Sequence, residues 1–148
     1  MGWQDLVKNL KKLDGMTAEI GWQANATYED GTPVAAVARW TNNGNSRLGA
    51  SPRHFMEKTI KANTAEWSRT AGLGVKAVAV GTRTPHQVMD ALGQLAAGEV
   101  RATISSYPAY PDDDPVLKAR KRKGRNTTHE LVDTGLMVTS CTSVVKGD

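Results

Sequence analysis

The stretch TPHQVMDALGQLAAGEVRATI, residues Thr84 to Ile104, decides the fold class. Val88, Leu92, Leu95, Val100 and Ile104 line one face at helical spacing, which predicts an amphipathic helix. Thr84 followed by Pro85 is a start signal. The hydroxyl can cap the first free N–H groups, and proline has a φ that suits the first turn. Gly93 and Gly98 interrupt the pattern where glycine lowers helix stability, so another element is expected to approach closely there.

Upstream, Gly72, Gly74 and Gly81 are expected to break the chain around the apolar residues Val75 to Val80. Before them, Ser51-Pro52 opens a second helix by the same cap-plus-proline logic. Its buried stripe is read as Met56, Ile60 and Trp67, with Thr64 on the same face. Thr41 to Ser51, rich in Asn, Gly and Ser, reads as a loop. Val34 to Trp40 reads as a helix on its alanines and the spacing of Val34, Val37 and Trp40, with a strand as the alternative. Tyr28 to Pro33 is a turn, and Thr17 to Ala24, with Ile20 and Trp22, is a strand. Trp3, Leu6, Val7, Leu10 and Leu13 form the apolar side of a first helix, opposite Lys8, Lys11 and Lys12, which stops at Asp14-Gly15.

Downstream, Tyr107 to Glu130 has no periodicity. Pro108, Pro111 and Pro115 punctuate it, and Asp112 to Asp114 stand before a basic run. Leu131 to Met137 then leads into Val138 to Val145, which alternates like a terminal strand. The order of helix, strand, helices and strand predicts one α+β domain over residues 1–148. It has a small, mainly antiparallel sheet packed with about three amphipathic helices, and one long charged loop at about 107–130.

Hydrophobic residues at 39% exclude wholesale disorder. The four tryptophans are few enough that each is expected to anchor a cluster or an interface. The net charge of +4 belongs to one segment: without Lys118, Arg120, Lys121, Arg122, Lys123 and Arg125 the chain is slightly acidic. Those six cations could neutralise phosphates without reading sequence, or dock on an acidic protein surface. No aromatic residue is interleaved with them, which argues against base stacking. There is no secretory signal at the start and no apolar stretch of bilayer length, so no membrane is expected and synthesis is expected in a cytoplasm. The sequons at Asn25 and Asn126 are then chance matches.

No constellation for catalysis, cofactor or metal binding is expected. The single cysteine, Cys141, has no partner for a disulfide and reads as a small buried residue. His54, His86 and His129 have no metal-ligand spacing, and His54 and His86 read as polar residues in first helical turns. Asp133-Thr134-Gly135 matches the triplet of an aspartic protease. That chemistry needs two carboxylates sharing a proton, and therefore a dimer, and only thirteen residues follow Gly135 to enclose a substrate. The expected role of Asp133 is to bond nearby backbone N–H groups.

Three stretches taken together are similar to something known. They are YEDGTPVAAVARW at residues 28–40, SPRHFM at 51–56 running into a helix toward Trp67, and LVDTGLM at 131–137. In this order and spacing they resemble the small tail-completion and neck proteins of tailed bacteriophages, over about residues 15 to 145. That family carries a segment like YxDGTPVAxVAxxxEFGT, a PPRPFM-type helix start and a closing PLVDTGxMxxSI-type segment. The present chain departs from it at Thr41-Asn42-Asn43-Gly44-Asn45, where the family has an acidic-aromatic-Gly-Thr turn, and at His54, where it has a second proline. The resemblance implies a structural virion protein rather than an enzyme. It implies a subunit of a ring, a hexamer or alternatively a dodecamer, at the head–tail junction, assembled in the host cytoplasm. The partners implied are connector, tail-terminator or tail-tube proteins and double-stranded DNA in the channel. Under it, Pro52, Phe55 and Met56 lock a helix start into the core, and Arg53 pairs with an acidic group. Asp133, Thr134 and Gly135 fix the entry to the last strand. The alternatives are a nucleic-acid-binding module built on residues 118–125 and a dimeric protease built on Asp133.

Overall fold

The computed structural model describes residues 1–48, 51–106 and 135–147. In chain order these form α1 (Trp3–Lys11), β1 (Thr17–Trp22), α2 (Val34–Asn43), a 3-10 turn (Ser46–Leu48), α3 (Phe55–Ala79), α4 (Pro85–Ser106), α5 (Leu136–Thr139) and β2 (Cys141–Lys146). β1 and β2 pair as a two-stranded antiparallel sheet, so the class is α+β with a small sheet. The residues group into two compact units. One holds Met1–Ile20, Ala62–Gly98 and Thr142–Asp148; the other holds Gly21–Lys61 and Glu99–Cys141.

In the first unit, α1 is an amphipathic helix none of whose residues is fully buried. The Gly2 N–H donates to the Asp5 carboxylate, and the Asn9 side-chain amide donates to the Ala79 carbonyl at 3.1 Å, which ties α1 to the end of α3. α4 begins as the sequence predicts. Gln87 N–H donates to Thr84 Oγ1 at 3.2 Å, and Thr84 N–H donates to Gln87 Oε1 at 3.0 Å, a reciprocal cap ahead of Pro85. Val78, Val88, Ala96 and Ala97 are buried. The expectation of a close approach at Gly93 is met: a Cβ there would lie 2.8 Å from Ser143 Cβ of β2 and 3.5 Å from Ala18 of β1. Lys146 and Glu19 form an exposed ion pair at 2.8 Å, a geometry worth under about 1 kcal/mol.

Two expectations for this unit are corrected. Gly72 and Gly74 do not break the chain; α3 runs through both to Ala79. Gly81, at φ 79°, is where the chain turns. The apolar Val75 to Val80 therefore belongs mostly to α3, with Val78 inside and Val75 and Val80 exposed.

In the second unit, the predicted turn forms. Tyr28 N–H donates to the Thr32 carbonyl and Gly31 N–H to the Tyr28 carbonyl, both at 2.9 Å, while Asp30 Oδ1 accepts from Thr32 N–H. Thr27 and Pro33 form an antiparallel bridge that delivers the chain into α2. α2 is a helix, and it extends three residues past Trp40 into the stretch read as loop. Its buried face is Val34, Ala38 and Asn42; Trp40 is 47% exposed, so the stripe expected through Trp40 is shifted. α3 starts at Phe55, not at Ser51-Pro52. Its buried residues here are Phe55 and Thr59, whereas Ile60 is 48% exposed. Thr59 is tolerated inside because its hydroxyl meets the Phe55 carbonyl at 2.7 Å and Thr103 Oγ1 at 2.8 Å. The final strand also starts later than expected. Leu136 to Thr139 is one helical turn, and β2 begins at Cys141.

Candidate functional site

The motif residues gather in the second unit, where the end of α2 meets the start of α3. Asn42 is the hub. It is buried, and its Oδ1 accepts the Met56 N–H at 2.9 Å, capping α3 from another helix. Its Nδ2 donates to Glu57 Oε1 at 3.1 Å and to Asn43 Oδ1 at 2.9 Å. Its carbonyl accepts from His54 N–H at 2.9 Å and, with the Thr41 carbonyl, from Arg53 N–H at 3.1 Å. The backbone of residues 53–54 is thus bound to the C-terminal carbonyls of α2, which explains why the helix cannot start at Ser51-Pro52. Lys58 N–H donates to the His54 carbonyl, so His54 stands immediately before the first turn rather than within it. His54 takes φ 53°, a left-handed conformation that is uncommon for a side-chain-bearing residue and costs on the order of 1 kcal/mol.

Glu57 lies 3.9 Å from His54 Nδ1, both side chains more than half exposed. Its own backbone N–H holds the Glu57 carboxyl below the usual range; burial opposes this, and the Asn42 amide and His54 add to it. The arrangement is a clasp: it satisfies the helix ends and fixes the angle at which the chain enters α3.

Beneath it lies the aromatic cluster. Phe55 has no exposed surface, and its ring meets Trp22 edge-on with centroids 6.1 Å apart. Trp22 Nε1 donates to the Met137 carbonyl at 2.8 Å, and the Met137 side chain is buried. Gly135, at φ 76°, precedes α5 in the left-handed region, where glycine avoids the Cβ clash. Arg101 Nη1 donates to the Cys141 carbonyl at 2.6 Å. Burial pushes the Cys141 thiol up, with Arg101 opposing, so it stays protonated and unreactive.

Of the expected site residues, the structure places Phe55 and Met56 at the helix start, Phe55 buried and Met56 partly so. Pro52 is exposed and Arg53 half-buried, both ahead of the helix. Lys118, Arg120, Lys121, Arg122, Lys123, Arg125, Asp133, Thr134 and His129 lie outside the described residues. Trp22 anchors a cluster, as expected of each tryptophan, while Asn42 and Arg101 complete the site without having been singled out. Asn42-Asn43-Gly44 carried a usable signal, since glycine after a helical run is a C-terminal signature and Gly44 closes α2 at φ 82°.

Among the described residues, no group of three or more His, Cys, Asp or Glu could hold a metal ion, and no helix is long and apolar enough to cross a membrane. Comparison with protein-family models, with curated proteins and with solved structures finds no match.

Proposed function

We propose that the chain is a structural subunit of the phage neck, forming an oligomeric ring that joins or completes the tail at the head–tail interface. One observation carries this reading: residues next to the three stretches that resemble tail-completion proteins tie the described parts of those stretches together. The turn at residues 28–33 feeds α2, and Asn42 of α2 caps the helix that SPRHFM opens. Trp22 joins Phe55 to Met137 of the LVDTGLM stretch. Stretches held to common partners in this way need a fixed order and spacing in this fold. Exposed Trp3 and Trp40 supply large apolar surface of the kind enriched in subunit interfaces. Rings need head-to-tail contacts between unlike surfaces, and exposed tryptophans are suited to such contacts.

The test is the oligomeric state of the purified chain, by analytical ultracentrifugation and negative-stain microscopy, alone and with connector or tail-tube protein. Closed rings, alone or on the partner, are expected. A monomer that binds neither partner refutes the proposal. Neutralising the six basic residues of 118–125 tests the nucleic-acid alternative: rings that form while DNA retention changes place that run against DNA. Asp133→Asn tests the protease alternative, and no peptidase activity is expected to be lost.

A further inference from the structure

The first unit contains a cavity of about 260 Å³ lined by Asn9, Lys12, Thr82, Arg83 and Gln87 among others. A neighbouring hollow of about 300 Å³ shares Lys12 and adds His86. Most of the uncharged polar groups are committed to the fold. The Asn9 amide is held by the Ala79 carbonyl, and the Thr82 hydroxyl donates to the Ala77 carbonyl at 3.1 Å. Thr84 and Gln87 close on each other as the cap of α4, so the helix end does not carry the argument. What is left is a pair of cations. Lys12 ends α1 and Arg83 sits in the turn between α3 and α4, yet both line one cavity.

Among the described residues, neither cation is paired with a carboxylate, and no carboxylate lines the cavity. The acids nearest in sequence, Asp14 and Asp90, are not part of its wall. Lys8 and Lys11 add exposed positive charge to the same helix. Two exposed cations on the wall of one cavity, with no carboxylate there, make the local potential positive and attract an anion. A guanidinium fork and a compact ammonium on one wall suit an oxyanion with several acceptor oxygens.

We propose that Lys12 and Arg83 form a phosphate-binding cleft, distinct from the basic run at 118–125, which takes a phosphate of a nucleic-acid backbone. The site does not depend on the ring reading. Inorganic phosphate offers the same chemistry, and the experiment separates the two sources.

The full chain is compared with Lys12→Gln/Arg83→Gln and with the charge-retaining Lys12→Arg/Arg83→Lys. Each is made in the native background and in one with the six residues of 118–125 neutralised. The first arm measures binding of a short DNA duplex by fluorescence anisotropy across a salt series. The double Gln variant is expected to lower the slope of log K against log salt by roughly 1, for the one phosphate lost, in both backgrounds, while the charge-retaining variant keeps it. The second arm measures the thermal midpoint in inorganic phosphate against chloride at matched ionic strength. A phosphate-dependent rise that the Gln pair abolishes, with no change in duplex binding, assigns the cleft to the free anion. Circular dichroism checks that each variant folds. Duplex affinity and phosphate response both unchanged in the Gln pair overturn the proposal, whatever the oligomeric state.

Discussion

Gly72 and Gly74 sit two residues apart in the same helix, and alanine should act oppositely at the two. A Cβ at Gly72 would meet nothing within 4 Å. There alanine only restricts the unfolded chain and improves helix propensity, a gain of about 0.4–1 kcal/mol. At Gly74 the same gain is available, but the new Cβ would overlap Val88 Cγ1 of α4 and stand 3.5 Å from Val88 Cβ and Cγ2. Val88 is buried and β-branched, so it has little rotamer freedom with which to yield. Overpacking of that kind costs about 1–3 kcal/mol. The two variants should therefore differ by roughly 1–3 kcal/mol. At urea m-values of about 1–3 kcal/mol/M, that separates their unfolding midpoints by about 1 M.

The assay is equilibrium urea unfolding followed by far-ultraviolet circular dichroism. Val88→Ala completes a double-mutant cycle. Alone it leaves a hole costing about 2 kcal/mol, and combined with Gly74→Ala the new methyl occupies part of that hole. A favourable coupling of about 0.5–3 kcal/mol is expected. If Gly74→Ala stabilises as much as Gly72→Ala, or if the coupling is zero, the close approach of α3 to α4 is not what keeps glycine at position 74.

Phe55→Ala should destabilise by about 3–5 kcal/mol, since the ring is fully buried and also loses its edge contact with Trp22; unchanged unfolding and assembly would remove Phe55 from the core. Glu57→Gln should cost less than about 1 kcal/mol near neutral pH, because the carboxylate is largely exposed. Its folded-state pKa is depressed, so the native carboxylate contributes stability above the usual carboxylate range and loses it as pH falls through the lowered value. Urea midpoints of the native chain and the variant should therefore converge on acidification, and a gap that widened would contradict the assignment. Cys141, buried with a raised pKa, should react with a thiol reagent only as fast as the protein opens; rapid labelling of the native chain would refute its burial.

The sequence made the local devices legible and concealed those that depend on a distant partner. α1, β1, the turn at 28–33 and the start of α4 are each specified by residues a few positions apart, and they appear where periodicity and capping put them. The start of α3 was misplaced because its cap is Asn42, fourteen residues upstream on another helix, and local spacing carries no record of that bond. Its buried stripe was misread because Thr59, a polar residue, sits inside on the strength of its bond to Thr103. The same reason explains why Gly72-Leu73-Gly74 looked like a break. Helix propensity counts glycine as a loss, whereas the packed protein uses Gly74 as clearance for Val88. The candidate site follows the same division: Phe55 and Gly135 could be named from the motifs, while the bonds from Asn42 to Met56, Trp22 to Met137 and Arg101 to Cys141 belong to contacts that only folding creates. Sequence reading is therefore weakest where one element completes another, and in this chain that is where Asn42 and Trp22 tie α2, α3 and α5 into place.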